Sequence, residues 1–249
     1  MSTQATFRIW RGDAAGGGFH EYQAEVHEGM VVLDVVHRIQ AEQAHDLAVR
    51  WNCKAGKCGS CSAEINGHPR LMCMTRMDTL PIGRPITIEP MHTFPRIKDL
   101  VTDVKWNFAA KKKIAPFAPR KPDAADGTWR MQQEDVERIQ EFRKCIECFL
   151  CQDVCHVLRD HDLYDRYIGP RLFVYSAALE MHPLDTANRL GALKDEYGIG
   201  YCNITKCCTV VCPEGIHITD NAIIPLKERV ADEFYDPIKK LFRMFRSGK

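Results

Sequence analysis

Twelve cysteines in a chain of 249 residues, most of them in short runs, are the side chains with the clearest chemistry. Cys145-Ile-Glu-Cys148-Phe-Leu-Cys151-Gln-Asp-Val-Cys155 has the spacing C-x2-C-x2-C-x3-C. Such a run wraps three thiolates around a cubic iron–sulfur cluster and sends its fourth cysteine to a different one. Cys145, Cys148 and Cys151 then need a fourth ligand from elsewhere. Cys212 supplies it, and Pro213 turns the chain away behind it. Cys155 joins Cys202 and Cys208 at another centre. A full cubane motif would place cysteine at position 205, where Thr205 stands, so that centre has three thiolates, enough for a three-iron cluster. Cys207 is a spare. Adjacent residues rarely point at one metal site, so it is read as a buried free thiol, with a fourth-ligand role the open alternative.

Further upstream, Cys53-x4-Cys58-x2-Cys61, followed by Cys73 after eleven residues, is the plant-type two-iron spacing. Gly56 and Gly59 suit a loop that aims its amides at sulfur and needs backbone angles a side chain would hinder. The rival for all these cysteines is structural zinc, which favours two C-x-x-C pairs, often with histidine. Interlocked triplets with distant fourth ligands fit clusters better. Of the ten histidines, His156 is singled out because it follows Cys155; a role in handling protons near that centre stands beside a plain packing role.

These loops must be positioned by the elements around them. Residues 5–10 alternate as a strand, Gly16-Gly17-Gly18 reads as a turn, and Phe19–Val26 as the returning strand. Val32, Val35, Val36 and Ile39 share a helical face within 31–43. Asn66-Gly67 is a hairpin signal between Ser62–Ile65 and Arg70–Met72, and it returns Cys73 to the loop. Ile86–Glu89 reads as a closing strand. From about 107 to 127, three lysines, three spaced prolines and an Asp/Ala/Gly stretch read as an irregular connection. Beyond it the pattern is helical over 134–144, 186–196 and 220–234, with Pro225 marking an early turn or a kink. After Asp236-Pro237, Ile238, Leu241, Phe242 and Phe245 share a face flanked by Lys239, Lys240, Arg243 and Arg246, a candidate docking or membrane-surface helix.

The expected organisation is α+β: a two-iron domain over 1–106, a linker over 107–128, and a helical domain over 129–249. A net charge of +1 gives no pull toward nucleic acid. The chain begins without a secretory pattern and holds no apolar stretch of spanning length, which implies a soluble or peripheral protein. No Gly-rich phosphate loop follows a strand and no nucleophile–histidine arrangement stands out, so no catalytic residue is expected.

The three cysteine groups, in this order and spacing, together with Ile168-Gly169-Pro170 between the last two, resemble the iron–sulfur subunit of succinate dehydrogenase and fumarate reductase over nearly the whole chain. The resemblance implies an N-terminal β-grasp ferredoxin-like domain with a [2Fe-2S] cluster on Cys53, Cys58, Cys61 and Cys73. It implies an all-α helical ferredoxin domain with a [4Fe-4S] cluster on Cys145, Cys148, Cys151 and Cys212, and a [3Fe-4S] cluster on Cys155, Cys202 and Cys208. In that family, electrons from succinate pass from FAD on a flavoprotein partner, through the clusters, to quinone at integral membrane anchor subunits. The setting is the tricarboxylic acid cycle and respiratory chain, on the cytoplasmic side of the membrane; fumarate reductase runs the reverse way. The sequence departs from the family where His156-Val157-Leu158-Arg159 replaces a proline followed by tryptophans, and where Asn203 replaces a histidine. The quinone-pocket residues are therefore not carried over.

Overall fold

The computed structural model describes residues 3–237, so the amphipathic stretch from Ile238 lies outside the described residues. The chain divides into two units. The first comprises the residues up to Trp106 with Ile146–Val154 and Val211–Glu214, and the second comprises Asn107–Cys145, Cys155–Val210 and the residues from Gly215.

In the first unit, β1 (Thr3–Asp13) alternates as its sequence dictates, burying Ala5, Phe7 and Ile9 while Arg8 stays outside. It pairs antiparallel with β2 (Gly16–Val26) and parallel with a later strand, β5 (Ile86–Glu89). The hairpin β3 (Ser62–Ile65) and β4 (His68–Leu71) joins through β3 to β5. Two short strands not legible beforehand, β6 (Arg96–Lys98) and β7 (Val101–Thr102), complete the order β4-β3-β5-β1-β6-β7, with β2 on β1. The glycine run is a strand, not a turn: the chain reverses at Ala14-Ala15. A Cβ on Gly17 would lie 2.7 Å from the Trp10 ring, so glycine there lets the indole lie against the neighbouring strand.

Helix α1 (Val32–Glu42) packs its Val32, Leu33, Val35, Val36 and Ile39 into the same core as Phe7, Ile65, Ile86 and Ile88. Each such aliphatic or aromatic side chain contributes roughly 1.5–3 kcal/mol by leaving water. Its first turn has amides without intrahelical partners. Two of them donate outward, Val32 to the Thr75 carbonyl (2.9 Å) and Leu33 to that of Met72 (3.1 Å). The helix start thereby grips the chain on both sides of Cys73.

In the second unit, α2 (Lys105–Lys111), which begins at the end of the first, carries the chain into the Pro-rich stretch. That stretch is bonded down: Arg120 donates its amide to the Leu184 carbonyl, and Arg189 donates its Nε to Ala115 and an Nη2 to Pro116, each at 2.8 Å. Residues 134–144 form α3 (Gln133–Gln140) and a 3-10 turn, Glu141–Lys144. Two short helices, α4 (Leu150–Asp153, in the first unit) and α5 (His156–Arg159), flank the cysteine run's end.

Helix α6 (Pro170–Glu180) is buried along most of its length. The helix expected over 186–196 is confined to α7 (Leu190–Asp195). Upstream of it, side chains bond outside any helix: Thr186 Oγ1 donates to the Ala118 carbonyl, and Asn188 accepts from the Leu190 amide. The last elements are α8 (Cys207–Val210), a π-helical turn over Ile218–Ile223, and α9 (Ile224–Phe234). Pro225 sits in the first turn of α9, where its missing N–H costs nothing, and the wide turn before it takes up the break. No described helix is long and apolar enough to cross a membrane.

Candidate iron–sulfur centres

The first cysteine loop is built around alternating handedness. Lys54, Gly56 and Gly59 have φ of +55°, +66° and +66°. These reversals point successive amides inward: Ala55 and Lys57 each donate to Cys53 Sγ at 3.3 Å. The Cys53 amide donates to Cys58 Sγ, and the Cys73 amide to Cys61 Sγ, both at 3.5 Å. Amides aimed at sulfur are what a negatively charged iron–thiolate centre needs, and they stabilise its reduced form. Cys61 and Cys73 are buried, Cys58 is half-buried and Cys53 is exposed, so one edge of the loop faces outward. Burial pushes the Cys61 thiol up to about 12. At Cys58 burial also acts upward, but hydrogen bonds from Ser60 and the Cys53 amide outweigh it and hold the thiol at about 6. Beside the exposed edge, Trp51 is flanked by His37, edge-on at 4.7 Å, and by the Lys54 ammonium at 4.9 Å.

Cys148, Cys151 and Cys212 also belong to the first unit, whereas Cys145 closes a segment of the second. Glu147 and Phe149 take left-handed φ of +55° and +62°, so the backbone coils about Cys148. The resulting α4 is pinned by Thr93, whose amide donates to Asp153 Oδ1 (3.1 Å) and whose hydroxyl donates to the Asp153 carbonyl (2.9 Å). Most telling is how closely this loop meets the first. Ser62 Oγ donates to the Cys148 carbonyl at 2.8 Å, and a Cβ on Gly59 would lie 2.6 Å from Cys148 Cα. Lys57 pairs with Glu214, two residues beyond Cys212, at 3.3 Å.

In the second unit Cys155, Cys202 and Cys208 line one cavity with Thr205, Tyr167 and Cys207. Ile204 and Lys206, both at φ +63°, bend the loop around it. Tyr167, 1% exposed, places its hydroxyl 3.8 Å from Cys155 Sγ, and Thr219 Oγ1 lies 3.5 Å from Cys208 Sγ. Lys227 Nζ donates to the Cys202 carbonyl at 2.6 Å. Burial pushes the Cys155 thiol up and that of Cys208 to about 11, so both release a proton on binding metal. Cys207 corrects an expectation. It is half-buried, not buried, and it borders this cavity, with its Sγ 3.3 Å from Thr205 Oγ1. His156 borders the same cavity.

Tyr167, Thr219, Ser62 and Thr93 were not foreseen as site residues. Tyr167 adjoins the Ile168-Gly169-Pro170 segment, a usable signal; a lone serine or threonine gives none. Replacing Tyr167 with Phe removes a hydroxyl that a Cys155-bound cluster would accept from. The potential of that centre should fall by on the order of 40 mV, about 1 kcal/mol for one electron, in a spectroscopic redox titration. An unchanged midpoint would show that the hydroxyl does not reach the thiolate.

The donor sets fit iron–sulfur groups: soft thiolates gathered on loops, with amides facing sulfur in the first of them. Among the described residues no three His, Cys, Asp or Glu are drawn together as one metal ion requires. Two family models match the chain. Residues 6–109 match the 2Fe-2S iron-sulfur cluster binding domain, and residues 141–216 match the 4Fe-4S dicluster domain. Fold and site thus define an iron–sulfur electron-transfer protein, with a ferredoxin-like domain followed by a second cluster-binding domain.

The fumarate reductase iron-sulfur subunit of Mycobacterium tuberculosis is 31% identical over 203 residues, 80% of each chain. The succinate dehydrogenase iron-sulfur subunit of Paracoccus denitrificans is 30% identical over 82% of this chain and 78% of its own. A chain of the Mycobacterium smegmatis Sdh1 complex in the apo form superposes with a TM-score of 0.92 at 61% identity, covering 96% of this chain and all of that one. The chain belongs to the family of succinate dehydrogenase and fumarate reductase iron–sulfur subunits. It is the electron-carrying subunit of an oxidoreductase complex.

Proposed function

We propose that this chain connects a flavin site on one partner to a quinone site at a membrane partner, in a succinate:quinone oxidoreductase. Residues 1–106 form its β-grasp two-iron domain, 107–128 the linker and 129–249 its all-α domain. Cys53, Cys58, Cys61 and Cys73 hold [2Fe-2S]; Cys145, Cys148, Cys151 and Cys212 hold [4Fe-4S]; Cys155, Cys202 and Cys208 hold [3Fe-4S]. When bound, these clusters supply one-electron carriers in series. The chain's own residues space them, insulate them and set their potentials through the amides and hydroxyls that meet the sulfurs. FAD belongs to the flavoprotein partner, and the membrane anchor subunits hold the complex at the cytoplasmic face.

The observation that carries this reading is the seating of the first cysteine loop on the second, Gly59 against Cys148. A carrier needs its centres close and rigidly spaced, and a backbone contact that tight between two cysteine loops supports such spacing. The reverse direction, fumarate reduction, is favoured by the name of the M. tuberculosis relative. Direction rests on potentials, which span roughly −700 to +450 mV in such centres. Electron paramagnetic resonance of the anaerobically prepared complex, oxidised and then reduced stepwise, tests the assignment. A three-iron signal is expected in the oxidised sample, and two further signals on reduction. Absence of iron and acid-labile sulfide would overturn it.

A further inference from the structure

We propose that Cys207 is a conditional fourth thiolate for the third centre, through which that centre takes up a ferrous ion when reduced. The proposal rests on the three-iron reading above and goes beyond it.

Four cysteines border this cavity where a three-iron cluster uses three: Cys155, Cys202 and Cys208, with Cys207 beside them. Neighbouring residues are poor partners for one metal ion, because successive side chains on a helix diverge by about 100°. A cubane presents corners that are ångströms apart, and Cys207 and Cys208, the first two residues of α8, both line the cavity.

Thr205 stands where a cubane motif would place its own cysteine, and its hydroxyl lies 3.3 Å from Cys207 Sγ. That contact ties the spare sulfur to the residue that stands in the missing ligand's place. The uptake balances without an oxidant: [3Fe-4S]0, Fe2+ and the Cys207 thiol give [4Fe-4S]2+ bound by the Cys207 thiolate, plus one proton. The electron that makes the reduced three-iron form is the one the subunit carries, and the ferrous ion is the only co-reactant.

The test uses the intact complex, reduced anaerobically with dithionite and given isotopically labelled ferrous ion, with unbound iron then removed by chelation and gel filtration. In wild type, one labelled iron per chain should be retained and the reduced three-iron spectrum lost. Cys207→Ala and Cys207→Ser should keep that spectrum and retain no label. A wild type that keeps its three-iron spectrum unlabelled, or variants that take up label as wild type does, would overturn the proposal. A wild type lacking the three-iron spectrum before iron is added, while C207A shows it, would overturn the three-iron reading and retain Cys207 as a ligand. Its absence from both would overturn both.

Discussion

Gly59→Ala should cost the protein its second cluster and with it nearly all electron delivery, although the change adds a single methyl group. Two costs combine. At φ +66° an alanine is strained by roughly 1–2 kcal/mol. The larger cost is steric, because the new carbon would lie 2.6 Å from Cys148 Cα, 2.8 Å from its Cβ and 2.9 Å from its amide nitrogen. Two of these atoms are backbone and cannot swing aside as a flexible side chain could. The loops must separate, which also pulls the Cys148 carbonyl from Ser62.

Overpacking of this kind costs about 1–3 kcal/mol more, and displacement of one ligand is enough to lose a cluster. Iron and sulfide analysis of G59A should fall toward the content of the remaining centres, with the two-iron signal retained in weakened form. Gly56→Ala is the control. Its added carbon would meet the Met74 side chain at 2.8 Å, and Met74 is 58% exposed and free to move. G56A should therefore keep its iron at the cost of backbone strain alone. Equal iron loss in both variants would mean that strain in the loop, not the contact with Cys148, decides.

The second large effect is expected at Arg189. Its guanidinium is fully buried, donating to Asp185 Oδ2 at 2.8 Å and lying 3.6 Å from Glu180, while it also ties the Ala115 and Pro116 carbonyls. Arg189→Met preserves volume but leaves Asp185, 1% exposed, without the cation it is paired with, and Glu180, 8% exposed, with only the opposing charge of Arg229. Breaking a buried pair from one side costs about 3–5 kcal/mol. Urea unfolding should show a correspondingly earlier transition.

The deficit should also depend on pH with a definite sign. Burial already pushes the Glu180 carboxyl up, and the arginine opposes that shift. Removing the arginine raises the folded-state value further above the unfolded one. A carboxyl raised in this way favours the folded state below its unfolded value and weighs against folding as pH rises through the folded value. R189M should lose stability from mildly acidic pH upward relative to the wild type. A constant difference across that range would mean the loss comes from the carbonyl ties and not from stranded charge.

How much of this was readable beforehand depends on how local the cause is. The two-iron and four-iron domain types follow from cysteine spacing, because a ligand loop is fixed by a handful of consecutive residues. The Asn66-Gly67 hairpin was legible for the same reason: a positive-φ pair between alternating runs has few other uses. The Gly16–Gly18 run misled because glycine marks both turns and close approaches, and the positions of the Arg11 carbonyl and the Trp10 ring separate them. The helix expected from Thr186 starts late because Asp185, Thr186 and Asn188 bond elsewhere, a choice set by partners almost seventy positions away in the case of Ala118. Cys207 was read as buried from a rule about adjacent residues, and the rule presumes a single metal ion. Tyr167 is a tyrosine in an apolar setting until Cys155 is seen beside it.

The first unit is discontinuous in sequence, and this bears on how the protein is made. Leu150 and Cys148 are members of the core that α1 and the sheet enclose, and Val211 packs against it. A nascent chain that has emerged only as far as Trp106 therefore holds a sheet and helix whose interior is missing side chains still to be translated. The earliest-synthesised part of the chain gains its last packing partners only once position 214 has left the ribosome.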